Sequence, residues 1–306
     1  MKAIKQYIGQ MKGKTGFLFA ATILFLNSAS AQILPLNAQY FQNRYLINPS
    51  MAGIGPGLNI NGSLRKQWTS IPGAPLSQGL TLDQQLDKVG LGINVYNEKA
   101  GGIQTTKAVA TFAYHLPLND QDQKLNFGVS FGASKDRFDA SGLGISDPND
   151  PAIGRFNDRG YYFDGDFGVS YTSEGLNIEA ALPNMRSVLR KEDVNYADKP
   201  TFYSALGYKF KLGTDLDGVS LEPKAVFRGV KNYDNLWDAG VNAAFAGDKL
   251  YLMGMYHSTK NVTAGFGINY KSSLYIMAYY NTETSALRGN TGGDFEINLR
   301  LNISKK

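Results

Sequence analysis

The sequence predicts an all-β protein, a single transmembrane antiparallel β-barrel of about fourteen strands with short turns at one end and longer loops at the other. Three observations carry the prediction. Apolar and polar residues alternate at period two along most of the chain. The alternating stretches come in an even number, and both long connections between them are odd-numbered, on one side of the sheet. The composition is low in charge and rich in glycine and aromatics.

The alternation is clearest at the C-terminus. Phe295, Ile297, Leu299, Leu301 and Ile303 fall on one face and Glu296, Asn298, Arg300, Asn302 and Ser304 on the other, an order that leaves no one-sided helix. The same rule sets Leu125, Phe127, Val129, Phe131 and Ala133 against Asn126, Gly128, Ser130, Gly132 and Ser134. It also sets Val262, Ala264, Phe266, Ile268 and Tyr270 against Thr263, Gly265, Gly267, Asn269 and Lys271. In a soluble sandwich the apolar face meets a core, whereas in a membrane barrel it meets lipid and the polar face lines the lumen. Alternation alone does not separate these two.

Strand count and loop parity favour the barrel. Candidate strands run over 57–68, 75–85, 88–98, 104–117, 123–136, 159–173, 175–183, 200–212, 219–231, 234–247, 249–258, 261–271, 273–283 and 293–303. Numbered in order, the even connections are all short: Gln84 to Lys88, Pro117 to Gln123, Thr172 to Gly175, Gly213 to Gly218, Gly247-Asp248 and Lys271-Ser272. Both long connections, 137–158 and 184–199, are odd. That asymmetry is the one outer-membrane barrels show, with short turns in the periplasm. The 34 glycines, 18 tyrosines and 17 phenylalanines, against only 19% charged residues, suit short strands, tight turns and aromatic faces. Aromatics gather toward strand ends, as in Tyr161-Tyr162-Phe163, Phe202-Tyr203 and Tyr279-Tyr280, where a membrane girdle would place them.

The N-terminus reads as an export signal. Lys2, Lys5, Lys12 and Lys14 precede an apolar run from Phe17 to Leu26, and Ala29-Ser30-Ala31 forms a small-residue cleavage site before Gln32. The run is well short of the roughly 20 residues a membrane-spanning helix needs. The expected organisation is therefore a signal peptide over 1–31, an N-terminal periplasmic or barrel-mouth segment over 32–56, and the barrel over 57–306. Taking those four lysines from the 31 basic residues leaves 27 against 26 acidic ones, so the basic character belongs to the signal. No long run of like charge remains to bind nucleic acid. With no cysteine in the chain, neither disulfides nor a lipid-modified N-terminal cysteine is available.

Catalytic chemistry finds little support. His115 and His257 are the only histidines, too few for a multi-histidine zinc site, and no serine stands in a nucleophile-elbow context. Asp147-Pro-Asn-Asp150-Pro with Asp158 lacks the spacing of a calcium loop and reads as a proline-stiffened surface loop. Glu222, Lys224 and Arg228 on one strand, and Glu296 and Arg300 on another, face the lumen, where mutual ion pairs would rigidify its filling. No metal or other cofactor is expected.

Several segments resemble the PorP/SprF family of the Bacteroidetes type IX secretion system. They are Gln39-Tyr-Phe-Gln-Asn-Arg-Tyr-Leu-Ile-Asn-Pro-Ser-Met-Ala-Gly53, Arg65-Lys-Gln-Trp68 and Pro72-Gly-Ala-Pro75. In the same order follow Leu91-Gly-Ile-Asn94, Asn97-Glu-Lys-Ala-Gly-Gly102, Asp147-Pro148, Leu182-Pro-Asn184 and Leu221-Glu-Pro-Lys-Ala-Val-Phe-Arg228. The resemblance implies an outer-membrane barrel that binds secreted proteins, often large surface adhesins, through their C-terminal sorting domains, for export or anchoring. It also implies other type IX components of the periplasm and outer membrane as partners, and in gliding species a link to motility. One departure is the C-terminus, Leu301-Asn-Ile-Ser-Lys-Lys306, which lacks the terminal aromatic of many outer-membrane barrels.

The expected function is non-catalytic. Its binding surface would be the loops Arg137 to Asp158 and Asn184 to Lys199, with Asp147, Asp150, Arg155, Arg186, Arg190 and Tyr196 as contact residues. Asn48 and Pro49, in the Asn48 to Gly57 stretch, would contact the rest of the apparatus. The alternative is a passive diffusion channel for small solutes.

Overall fold

Alternating sequences of this length can close into a barrel only if every strand finds two neighbours. A computed structural model of the protein describes residues 38–71, 73–120, 122–139, 150–186, 200–213, 218–230, 234–284, 289 and 291–304, and in it they do. The signal peptide expected over 1–31 lies outside the described residues. The strands are β1 Leu58–Lys66, β2 Leu76–Leu86, β3 Val89–Ala100, β4 Ile103–Pro117, β5 Lys124–Phe138, β6 Tyr162–Thr172, β7 Leu176–Leu182 and β8 Pro200–Tyr208. They continue as β9 Phe210–Leu212, β10 Val219–Val230, β11 Leu236–Phe245, β12 Leu250–His257, β13 Asn261–Tyr270, β14 Leu274–Asn281 and β15 Asp294–Ile303.

Apart from β8 and β9, which both pair with β10, each strand pairs antiparallel with its sequence neighbours, and β1 closes the sheet on β15 in register from Leu58 opposite Ile303 to Lys66 opposite Phe295. β8 and β9 lie in one register along β10, so they form one interrupted stave and the barrel has fourteen. The interruption falls between the Lys224–Gly207 and Leu221–Phe210 pairs, where β10 carries Pro223, a residue with no N–H to donate to a ladder.

The sense of the alternation decides between sandwich and barrel. Phe112, Val129, Phe131, Leu206, Phe266, Ile297 and Leu299 are exposed on the outer face. Asn61, Ser63, Arg65, Asn126, Ser130, Thr263 and Asn298 are buried on the inner one. A soluble sandwich would show the reverse. Apolar outside and polar inside is the arrangement of a wall that faces hydrocarbon.

The long connection between β5 and β6 holds a feature the proline-stiffened loop reading did not include. A helix, α1, spans Pro151–Asn157, with the Asp150 side chain accepting from Ala152 N at 2.7 Å and proline at the first helical position. Asp before Pro is a good N-cap pair, because the carboxylate satisfies a free amide and proline has none to leave unsatisfied.

If the outer face meets lipid, Val129→Arg, near the middle of β5, should destabilise the barrel by roughly 2–4 kcal/mol in a urea titration in lipid. Val129→Ile should be neutral.

Candidate functional site

A barrel of this strand number leaves an interior too wide for wall side chains alone to fill. Here the chain from Ala38 to Gly57 runs through that interior, and Ala38, Gln39, Tyr40, Asn48, Ser50, Met51 and Ala52 are 0–2% exposed. The segment starts near the long-loop end, where the Gln39 side-chain amide donates to Glu296 and Tyr40 Oη donates to Asp238 at 3.0 Å. It ends near the short-turn end, where Gly53 N donates to Asp83 at 3.0 Å and His115 Nε2 meets Ala52 O at 3.0 Å. Between these ends it bonds to several other staves, through Asn43 to Thr81, Arg44 to Glu222, Tyr45 to Thr111 and Ser50 to Ser170.

Wall glycines make the room. A Cβ on Gly90 would stand 1.9 Å from Ala52 O, one on Gly128 2.3 Å from Pro49 C, and one on Gly168 2.0 Å from Asn48 Oδ1. The segment turns there as a short 3-10 helix, Pro49–Met51, capped by the Asn48 side chain, which accepts from Ser50 N at 3.1 Å. Asn48 and Pro49 are therefore interior residues that seat the segment against β5 and β6.

Two polar nodes hold the segment to the wall. Asp238 receives Tyr40, Arg228 at 2.8 Å and His257 Nδ1 at 2.7 Å. Lys224 Nζ donates to Tyr40 O at 2.8 Å and lies 3.5 Å from Glu222 and 3.8 Å from Glu179. Around them Tyr40 stacks on Tyr203, with centroids 6.3 Å apart, and packs with Met253, Met255, Met277 and Tyr279. The lumenal charges Glu222, Lys224 and Arg228 are thus paired, while Asp238, Tyr40, Arg44 and the Arg65–Asp294 bridge at 2.6 Å were not singled out by sequence reasoning. They lie far apart in the chain, and alternation indicates only that a residue faces inward.

At the long-loop end, α1 is tied to β5. Asn157 receives Phe138 N at 2.6 Å and donates to Phe138 O at 2.9 Å, and Phe156 meets Phe138 edge-on. Arg155 is exposed on this helix, while the Asp150 carboxylate is engaged in its cap. Asn184 N and Arg186 N donate to Asp166 and Asp164, each at 2.9 Å, and the Arg186 guanidinium lies over the Tyr162 ring. The expected contact residues Asp147, Arg190 and Tyr196 lie outside the described residues.

Residues 29–301 match the family described as type IX secretion system membrane protein PorP/SprF. The chain belongs to the PorP/SprF family. Among solved structures it is similar to the toluene transporter TodX of P. putida, at 11% identity and TM-score 0.50, covering 87% of this chain and 95% of that one. It is also similar to outer membrane protein Omp33 of Acinetobacter baumannii, at 7% identity and TM-score 0.47, covering 82% of this chain and all of that one. A third is the CymD monoaromatic hydrocarbon channel, at 11% identity and TM-score 0.47, covering 90% and 95%. At such identities the likeness to TodX is one of fold. No curated protein matches the chain.

This PorP/SprF chain is an outer-membrane protein, and by the rule for such barrels its short turns lie in the periplasm and its long loops outside. One interior constellation has the connectivity of a hydrolase triad. Asp238 meets His257 Nδ1, and His257 Nε2 lies 2.6 Å from Thr263 Oγ1. Thr263, His257 and Asp238 are 0–1% exposed, and Thr263 is bonded onward to Asn281, so no space beside the hydroxyl admits a substrate carbonyl.

Two outcomes follow for this PorP/SprF barrel. Gly128→Ala should cost about 1–3 kcal/mol in urea titrations, because its methyl meets backbone of the lumenal segment. The outward Gly62→Ala, with nothing within 4 Å, should stay within about 0.5 kcal/mol. In the surface loop after β14, the amides of Gly289, Thr291 and Gly292 donate to Glu283 and hold its carboxyl below the usual carboxylate range. A lowered folded pKa stabilises the loop above the ordinary value of about 4.3 and is lost as pH falls through the folded one. Exchange protection of the Thr291 and Gly292 amides should accordingly persist from pH 7 to about 5, fall in stronger acid, and be lost at pH 7 in Glu283→Gln.

Proposed function

We propose that this PorP/SprF protein is a non-catalytic docking barrel of the type IX system. It binds secreted proteins, large surface adhesins or their C-terminal sorting domains, and holds them for export or at the cell surface, in gliding species with a link to motility. Residues 1–31 serve as its cleaved export signal. The observation that carries this reading is the filled lumen. Ala38 to Gly57 bonds to staves around the wall, so among the described residues the barrel offers its two mouths as contact surfaces.

The outer mouth is the substrate side. Rigid loops on a fixed scaffold are where binding residues concentrate, and α1 with Arg155 is locked to β5 while Arg186 is held over Tyr162. Asp147, Asp150, Arg190 and Tyr196 are proposed as further contact residues. The periplasmic mouth faces the remaining type IX components, with Asn48 and Pro49 acting from inside by seating the segment that ends there.

A mild-detergent pull-down of the tagged protein from its native outer membrane, read by mass spectrometry, should bring down a large secreted protein with a C-terminal sorting domain together with type IX components. Deleting residues 184–199 should abolish that capture while the barrel still folds. In planar bilayers the isolated protein should show little conductance. A barrel that comes down alone and conducts small ions would instead be a diffusion channel.

A further inference from the structure

A cavity of about 220 Å³ opens between the lumenal segment and the inner faces of β1, β2 and β15, toward the short-turn end. Its lining includes Tyr45, Ile54, Asn59, Asn61, Asp83 and Arg300. We propose that this cavity binds one amino-acid zwitterion, a molecule carrying an ammonium and a carboxylate on the same small frame.

Two opposite charges, Asp83 and Arg300, face one space and form no salt bridge with each other, while the other charged group of the lining, Arg44, is taken up by Glu222 at 2.7 Å. Asp83 is 6% exposed, and its hydrogen-bond donors are the neutral Gly53 N at 3.0 Å and Asn59 Nδ2 at 3.3 Å. No cation among the described residues forms a salt bridge with it. Arg300 likewise has no carboxylate partner among the described residues. Its guanidinium donates to Gln42 O at 3.2 Å and lies over the Tyr275 ring, 5.1 Å from the centroid. Burying charge without an opposite partner is costly, and a long arginine side chain ordinarily swings to the nearest carboxylate.

Here the guanidinium is engaged elsewhere. Asp83 sits opposite Asn59 on β1, and Asn61 of β1 sits opposite Arg300 on β15, so the two charges are rooted two strand spacings apart, on the order of 10 Å. The carbonyl and the ring fix the guanidinium on its own side. Between them Asn61, 4% exposed, carries a side-chain oxygen without a hydrogen-bond partner. An ammonium group could donate to Asp83 and to Asn61 Oδ1, while the carboxylate of the same molecule accepts from Arg300. A lone cation would meet Arg300 and a lone anion would meet Asp83, so only a molecule with both charges satisfies both walls. The site lies at the opposite end from the surface loops and is independent of substrate docking.

The test is calorimetric titration of the full-length protein in detergent with alanine, N-acetylalanine, alaninamide and trialanine. Alanine should bind saturably, and N-acetylalanine and alaninamide, each lacking one charge, should bind at least about 10-fold more weakly. Asp83→Asn and Arg300→Gln should each weaken alanine binding about 10- to 100-fold. Their folding is to be checked by heat-modifiable gel mobility, with Arg300→Lys as a charge-retaining variant that keeps part of the affinity. Trialanine, whose two charges are held much farther apart, should bind more weakly than alanine, and trialanine binding where alanine does not would overturn the proposal. No saturable binding of alanine, or equal binding of N-acetylalanine and alanine, would likewise overturn it.

Discussion

The structure depends on one constraint: within hydrocarbon, no backbone amide or carbonyl can be left without a partner. A sheet with a free edge fails that requirement, so β1 must find β15 across more than two hundred residues of chain, and it does so in unbroken register. Closure in turn sets which face meets lipid and which is enclosed. The interruption at Pro223 is absorbed by splitting one stave without changing its register, and a one-residue register shift follows at Gly229 and Val230 of the same strand.

Closure at fourteen staves creates a second problem, an interior that wall side chains cannot fill. The chain supplies its own filling. The segment from Ala38 to Gly57 brings tyrosine, methionine and asparagine into the lumen, and glycines at 90, 128 and 168 make room where its backbone comes closest. Wall and segment are then joined by charged nodes at Asp238 and Lys224. Removing one member of such a node would leave buried charge uncompensated, so these nodes oppose withdrawal of the segment more strongly than they add net stability.

Function follows from this filling. A wall that is apolar outside, an interior occupied by covalently attached chain, and elements anchored at the long-loop mouth are the features on which the proposed docking role rests. α1 and the turn at Asn184 to Arg186 are anchored by side chains that bond backbone on β5 and by carboxylates of β6 that receive loop amides. At the other mouth, Asp83 and Arg300 form no salt bridge, and Gln42 and Tyr275 hold the guanidinium.

Period-two alternation is a local signal, and it was enough to predict the fourteen staves nearly to their ends; the closed barrel needed their even number and the parity of the long loops as well. The Asp150-Pro151 cap of α1 was also readable, but surrounding prolines favoured the loop reading. Contacts between distant residues were not legible. Nothing adjacent in the chain tells Asn48 and Pro49 that glycines of β5 and β6 will receive them, or brings Tyr40 to Asp238 and His257. Inward orientation is decided by the neighbours a residue alternates with. Which inward residues meet is decided by barrel register and by the path of the lumenal segment, and those exist only once the sheet has closed.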